Sequence, residues 1–247
     1  MNSTLRHFVA DMVLPNRQAW VRVRRGIAKG IWLRVNLSSE RNWWSGNHEP
    51  PVQRQFSKWI HEGSVLYDVG AHIGFFSLAA ARLGARVIAF EADPENVDRL
   101  NSHLMRNEMT ARVTIVAAAV WSASNPKLPF RRGLPRSQGG VTTSTNKPVL
   151  ASGPVIEVAA VTIDSFVAAG GPVPDVIKVD VEGGEIEVLK GAAATVQSKR
   201  PNLILEIHHR EALLTVQEFL QQNSYVADWL VPPEGFPRQC FATRIIE

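Results

Sequence analysis

Four apolar stretches of this 247-residue chain end on groups that can carry charge. "VLYDV" holds Asp68 next to its end and "RVIAFE" closes on Glu91. "DVIKVDVE" closes on Asp180 and Glu182, and "NLILEIH" on Glu206 and His208. Runs rich in Val, Ile, Leu and aromatic residues read as buried strands. In an open α/β sheet, ligands sit beyond the carboxyl ends of the strands, at the switch in strand order. One polar ending would be noise; its recurrence in four of five expected strands predicts a site.

The turn after the first of these strands reads "DVGAHIG". Gly70 lets the chain leave the strand tightly, and Gly74 lets the next helix start close to strand or ligand. The free N–H groups of that helix start face the same place. A dinucleotide cradle calls for a further glycine beside the pyrophosphate, and none follows Gly74 before Gly84. Asp68 suits the cationic ammonium of a ligand, and Glu91 stands where a carboxylate accepts both ribose hydroxyls. Glu91 fits either cofactor; Asp68 and the missing glycine favour a zwitterionic nucleoside, S-adenosylmethionine, over a hydride carrier. His72 is read as capping the turn or meeting the ligand's carboxylate. The plainer reading of Gly70 and Gly74 is an ordinary strand-to-helix turn.

Asp180, Glu182, Glu206 and His208 form the candidate catalytic set. Residues two apart on a strand share a face, so Glu206 and His208 point together. Such a set can remove a hydroxyl proton, with His208 oriented by a carboxylate. It can also hold a hard divalent cation that acidifies the hydroxyl. The metal-free base is the preferred expectation, and no metal ligands are assigned. The structural alternative is that "DVEGGE" caps a helix while Glu206 and His208 satisfy each other. His209, on the opposite face, reads as surface.

These residues need a scaffold, and from Val65 onward strand and helix signals alternate, which predicts an α/β fold with a parallel sheet. "DPENVDRLNSHLMRN" starts a helix well, with Asp93 as cap, Pro94 at the first position and Val97, Leu100 and Leu104 inward. "RVTIVAAAV" reads as the third strand, and "YVADWL" with "CFATRII" as a closing antiparallel pair. Residues 1–60 read as an N-terminal extension of short strands and a helix, on the substrate side. Residues 61–247 read as the main domain, with an irregular insertion near 121–153.

Composition excludes several classes. No apolar run approaches the roughly 18 residues that span a bilayer. The N-terminus lacks the apolar core of a secretory signal, so a cytoplasmic chain is expected. Cys240 is the single cysteine, which rules out an intrachain disulfide and a thiolate zinc cluster. The net charge is +4, with basic residues gathered at Arg17, Arg22, Arg24, Arg25, Lys29 and Arg34, and again at Lys127, Arg131, Arg132 and Arg136. They could face an anionic substrate, a membrane or nucleic acid; a solvated face is the plainer reading, and nucleic acid is not expected.

"DVGAHIGFFSL", "AFEADPEN", "AAAVWS", "IKVDVEGGEIEVLKGA" and "RPNLILEIH", in this order and spacing, resemble the FkbM-type S-adenosylmethionine-dependent methyltransferases. The resemblance covers roughly residues 45 to 210, and "IKVDVEGGEIEVLKGA" is its most distinctive piece. It implies a Rossmann-like seven-stranded class I methyltransferase fold, mostly parallel, with helices on both faces. It also implies S-adenosylmethionine as cofactor and methyl transfer to a hydroxyl of a sugar, glycan or natural product. On this reading Asp68, Gly70, Ala71, His72 and Gly74 form the donor loop, and Glu91 meets the ribose. Ala119 and Val120 lie by the adenine. His72 stands where the family commonly has Asn. "GNHEP" resembles a short family segment that would bring His48 and Glu49 to the acceptor. Trp43 and Trp44 beside it read as packing before sugar stacking. The rival readings are a nicotinamide-dependent oxidoreductase and a non-catalytic nucleoside-binding module on the same fold.

Overall fold

The computed structural model describes residues 18–133, 139–142, 153–230, 235–236 and 238–244. Arg17 and Arg136 of the basic groups lie outside these residues.

Alternation in "QAWVR" and "WLRVN" makes an antiparallel hairpin of β1 (Gln18–Arg22) and β2 (Trp32–Asn36). Leu33 and Val35 point inward and are fully buried, while Trp20, Arg22, Trp32 and Arg34 share the other face. A short α1 (Arg41–Ser45) follows, then α2 (Pro50–Trp59), which starts on two prolines and buries Val52, Gln53 and Phe56.

The expected alternation then begins: β3 (Val65–Val69), α3 (Phe75–Arg82), β4 (Arg86–Phe90), α4 (Pro94–Arg106) and β5 (Val113–Val116). Asp93 caps α4, accepting from the Glu95 N–H. The run "RVTIVAAAV" does not stay one strand. After Val116 the chain turns, with the Ala118 N–H on the Val116 carbonyl, and β6 (Ala119–Val120) joins a different sheet. From Ile115 to Val120 the run is apolar throughout and carries no mark of where it changes sheets. Within the expected insertion lie β7 (Asn125–Arg131) and β8 (Gly140–Val141); β9 (Val155–Val161) completes a sheet ordered β6-β9-β7-β8. Residues 134–138 and 143–152 of that insertion lie outside the described residues.

After α5 (Ile163–Ala168) come β10 (Val176–Val179), α6 (Glu185–Lys190), α7 (Ala193–Lys199), β11 (Asn202–Ile207), α8 (Arg210–Gln222), β12 (Tyr225–Leu230) and β13 (Arg238–Arg244). The main sheet has seven strands ordered β12-β13-β11-β10-β3-β4-β5. β13 inserts antiparallel between β11 and β12, and the pairs among the other five strands are parallel. Alternation divides each strand between two cores. Leu66, Val87, Val176 and Ile204 pack toward α3, α4 and the hairpin, whereas Tyr67, Ile88, Ile177 and Leu203 pack toward α6, α7 and α8. The chain order reverses between β3 and β10, so a crevice opens beyond their carboxyl ends. Among the described residues no helix is long and apolar enough to cross a membrane.

The free edge of β2 is covered by side chains of α4 and the residue that caps it. Asn107 Oδ1 accepts from the Trp32 N–H at 2.8 Å, His103 Nε2 accepts from the Arg34 N–H at 2.8 Å, and Arg99 donates to the Arg34 carbonyl at 2.9 Å. His103 also contacts the Ile73 carbonyl through Nδ1 at 2.8 Å. Burial, with Arg99 nearby, lowers the His103 pKa to about 4, so the folded protein keeps the ring neutral. The unfolded chain takes up a proton below about 6.5, and the fold cannot until about 4. Stability from His103 is therefore complete above 6.5 and falls by about 3 kcal/mol as pH drops toward 4. Melting curves of wild type and His103→Gln at pH 7.5 and 4.5 should show a smaller acid loss in the variant. Equal losses would remove this account.

Candidate active site

Beyond the ends of β3, β4 and β10 lies a cavity of about 270 Å³. Three structural units wall it. The strand-end loops supply Gly70, His72, Glu91, Asp180 and Glu182, and β11 supplies Glu206; the smaller sheet supplies Ala119, Val120, Phe130 and Val141. The segment from α1 to α2 supplies Trp43, His48 and Glu49.

Gly70 has φ +79, and a Cβ there would meet the Asp180 carbonyl at 1.9 Å, so the two strand ends can approach only with glycine. Gly74 (φ +86) is required for a different reason: the Leu100 side chain fills the place of its Cβ. Gly74 and Ala71 were expected at the ligand, but neither lines the cavity. Both lie in the turn that carries the loop, and Ala71 donates its N–H to the Phe90 carbonyl. His72 has φ 52 and donates its N–H to Glu91 Oε2 at 2.7 Å, with its ring 4.7 Å from that of Trp43.

Asp68 was expected at the ammonium of the ligand. Strand alternation turns it toward α3, where it is 1 % exposed and accepts from Ser77 Oγ at 2.6 Å. It does not line the cavity, and its Oδ1 has no hydrogen-bond partner. Burial raises its pKa against the pull of Lys178. Glu91 does line the cavity. Its oxygens accept the N–H groups of His72 and of Asp93 (2.8 Å). Asn96 Nδ2 adds a longer contact to Oε1 at 3.5 Å. A carboxylate offers about four acceptor positions, so capacity remains for a ligand hydroxyl. Burial pushes its pKa up to about 7.

The acidic part of the cavity is built around Asp180. Burial alone would protonate it, but Lys178 Nζ at 3.0 Å and the neighbouring His208 hold its pKa below the ordinary value. Lys178 is itself 3 % exposed, lies 5.1 Å from the Phe76 ring and keeps its proton because Asp180 and Asp68 outweigh its desolvation. His208, expected as a base, is placed differently. Its Nδ1 lies 2.6 Å from the buried Glu185 carboxylate, and its Nε2 faces Glu182, Glu206 and Asp180 at 3.5, 3.8 and 3.9 Å. Burial opposes its charge, but Glu185 and the other carboxylates prevail and push the pKa to about 9. His208 stands behind the cavity wall, where the surrounding carboxylates favour its charged form. Glu206 accepts from Gln239 at 3.1 Å, and burial beside Asp180 and Glu49 pushes its pKa up to about 8. Glu182 is raised to about 7 by burial. The carboxylates outnumber the cations, so both effects coexist.

Two overlapping groups, Asp180–Glu182–His208 and Glu49–Asp180–Glu206, have ligand atoms within 4.8 Å of one another, a spacing that suits a divalent cation. Three residues of the site escaped the sequence reading. Lys178 sits two positions before Asp180 on one strand face, a legible sign of a buried pair. Glu185 follows the glycines of "DVEGGE", a segment for which helix capping was the structural alternative. Gln239 belongs to β13, whose place beside β11 no local pattern announces. Trp43, His48 and Glu49 do reach the cavity, and His48 Nε2 lies 2.9 Å from Glu49.

The profile of the methyltransferase FkbM domain matches residues 68–227. The chain is 33% identical over 168 residues to the hexuronic acid methyltransferase AglP of Haloferax volcanii, covering 65% of this chain and 62% of that protein. It is 28% identical over 180 residues to the 31-O-demethyl-FK506 methyltransferase FkbM of Streptomyces tacrolimicus, covering 63% and 69% of the two. In fold it resembles the methyltransferase FkbM of Methylobacillus flagellatus KT, with a TM-score of 0.54 at 20% identity, over 73% of this chain and 43% of that one. An rRNA methylase of Streptococcus thermophilus gives 0.52 at 10% identity, over 81% and 99%. The order of the main sheet, with its single inserted antiparallel strand, and the span of the profile match agree: the chain belongs to the FkbM methyltransferase family.

Proposed function

We propose that the protein is an S-adenosylmethionine-dependent O-methyltransferase acting on a hydroxyl of a sugar, glycan or related natural product. One observation carries the choice of cofactor. Glu49, Glu91, Asp93, Asp180, Glu182 and Glu206 line the cavity, and no Lys or Arg does among the described residues. Such a lining attracts a sulfonium and an ammonium and repels a pyrophosphate, which disfavours the nicotinamide reading. The residues also fit the donor piece by piece. Ala119, Val120, Phe130 and Val141 offer apolar surface for the adenine, and Glu91 has acceptor capacity for the ribose. The names of AglP and the Streptomyces enzyme support the acceptor class.

When bound, S-adenosylmethionine supplies an electrophilic methyl on a positively charged sulfur. The chain's part is to hold an acceptor hydroxyl in line and to take its proton. Glu206 is our candidate base: it lines the cavity and is the most basic carboxylate there, with Gln239 fixing its other oxygen. Lys178 keeps Asp180 ionised and oriented. His208, locked by Glu185, fixes Glu182 and Glu206 from behind. Lys178 and His208 are cations supplied by the chain itself, and they favour the metal-free form of this cluster. Trp43, His48 and Glu49 form the acceptor wall.

Calorimetric titration with S-adenosylhomocysteine tests the cradle. Wild type should bind, and Glu91→Gln should bind roughly 10-fold to 100-fold more weakly, as expected for lost hydrogen bonds to a charged group. Absence of wild-type binding to either the donor or its product would sink the proposal. A fluorescence titration that showed tight binding of reduced nicotinamide cofactor would favour the oxidoreductase.

A further inference from the structure

No Asp or Glu occurs between residues 12 and 39, whereas Arg17, Arg22, Arg24, Arg25, Lys29 and Arg34 do. The first carboxylate after this stretch, Glu40, accepts from Arg99 at 2.8 and 2.9 Å and is matched within the fold. Strand register sets Trp20 opposite Arg34 and Arg22 opposite Trp32, so the outer face of the hairpin alternates indole and guanidinium. Arg22, Arg24, Arg25, Lys29 and Arg34 are exposed, and Trp20 is 38 % exposed. In the last turn of α4, Arg106 reaches to 5.0 Å from the Trp32 ring, and Met105 beside it is 66 % exposed.

We infer that this outer face of β1–β2 docks on a membrane surface carrying anionic lipid. The inference stands apart from the methyl-transfer reading. Charge complementarity carries it: five exposed cations on and beside one hairpin face an anionic surface, each adding attraction. Indole rings prefer the headgroup layer, where their apolar body and polar edge are both satisfied, and arginine stems can lie along them. Nucleic acid fits the face less well. Arg22 and Arg106 stand 4.9 and 5.0 Å from the Trp32 centroid, so that ring gives no platform to an unstacked base, and Trp20 is the one hairpin indole left for stacking. The face also adjoins the cavity. Arg24 lies over Trp44 at 4.8 Å and donates its N–H to the Trp44 carbonyl, and Trp43 next to it lines the cavity. A docked surface would therefore meet the segment that forms the acceptor wall.

Sedimentation of the full chain with lipid vesicles tests the inference. Binding is expected to mixed phosphatidylcholine–phosphatidylglycerol vesicles, and it should weaken as salt rises. Pure phosphatidylcholine vesicles should leave the protein in the supernatant. Arg22→Gln with Arg34→Gln should bind the mixed vesicles roughly 30-fold more weakly. Arg25→Gln with Lys29→Gln, which touches neither tryptophan of the hairpin face, should weaken binding to a similar extent with the circular dichroism spectrum unchanged. Equal binding to both vesicle types, no binding to the mixed vesicles, or indifference to both double variants would overturn it. So would tighter retention by single-stranded RNA at the same salt, which would assign the face to nucleic acid.

Discussion

Glu206→Gln is expected to lower turnover by roughly 100-fold to 10,000-fold, the range over which a positioned base contributes. The substitution keeps the shape of the side chain and an oxygen for Gln239, so affinity for S-adenosylhomocysteine should stay within a few-fold of wild type. The pH profile separates this role from a structural one. Glu206 is useful only when ionised, and burial beside Asp180 and Glu49 pushes its pKa up to about 8. Wild-type kcat/KM should therefore climb as pH rises through about 8 and level off above it, and the variant should lack that limb. The assay is S-adenosylhomocysteine release with a panel of free and glycosidic sugars. Equal rates for both proteins would remove Glu206 as the base.

Lys178→Met is expected to act on the fold first. Removing the buried cation of a pair whose carboxylate borders the cavity leaves that charge without compensation, at a cost of up to about 3–5 kcal/mol. Here Asp180 and Asp68 both lose their cation. For a domain of this size the melting temperature should fall by roughly 6–20 °C. Adding Asp180→Asn should recover much of the loss, because the two substitutions act on one interaction. A single variant that melts with wild type would show that Lys178 is not the compensating charge.

The strands were legible because their cores are apolar and their ends are not. Hydrophobic pattern alone placed Glu91, Asp180, Glu182 and Glu206 at strand ends, and all four line the cavity. What the pattern could not give was orientation. Asp68 and Glu91 look alike as strand-end carboxylates, yet one turns under the loop and the other into the cavity. His208 read as a base from its type; only the structure shows it ringed by Glu185, Glu182, Glu206 and Asp180, a setting that favours its charged form. The change of sheet after β5 was illegible because "RVTIVAAAV" is uniformly apolar across the point where it happens. Gln239 and Glu206 are 33 residues apart in sequence and meet only because β13 inserts beside β11.

Glu49, His72 and Glu182 all line the cavity, and all three adopt left-handed backbone with φ of 43, 52 and 53. For a residue with a Cβ this conformation costs of order 1–3 kcal/mol, and glycine would relieve it. Yet glycine would remove the carboxylates and the imidazole from the cavity. At these positions backbone ease and an acidic cavity wall call for different residues. A redesign scored on stability alone would choose glycine there and return a sturdier protein with a vacant acidic wall.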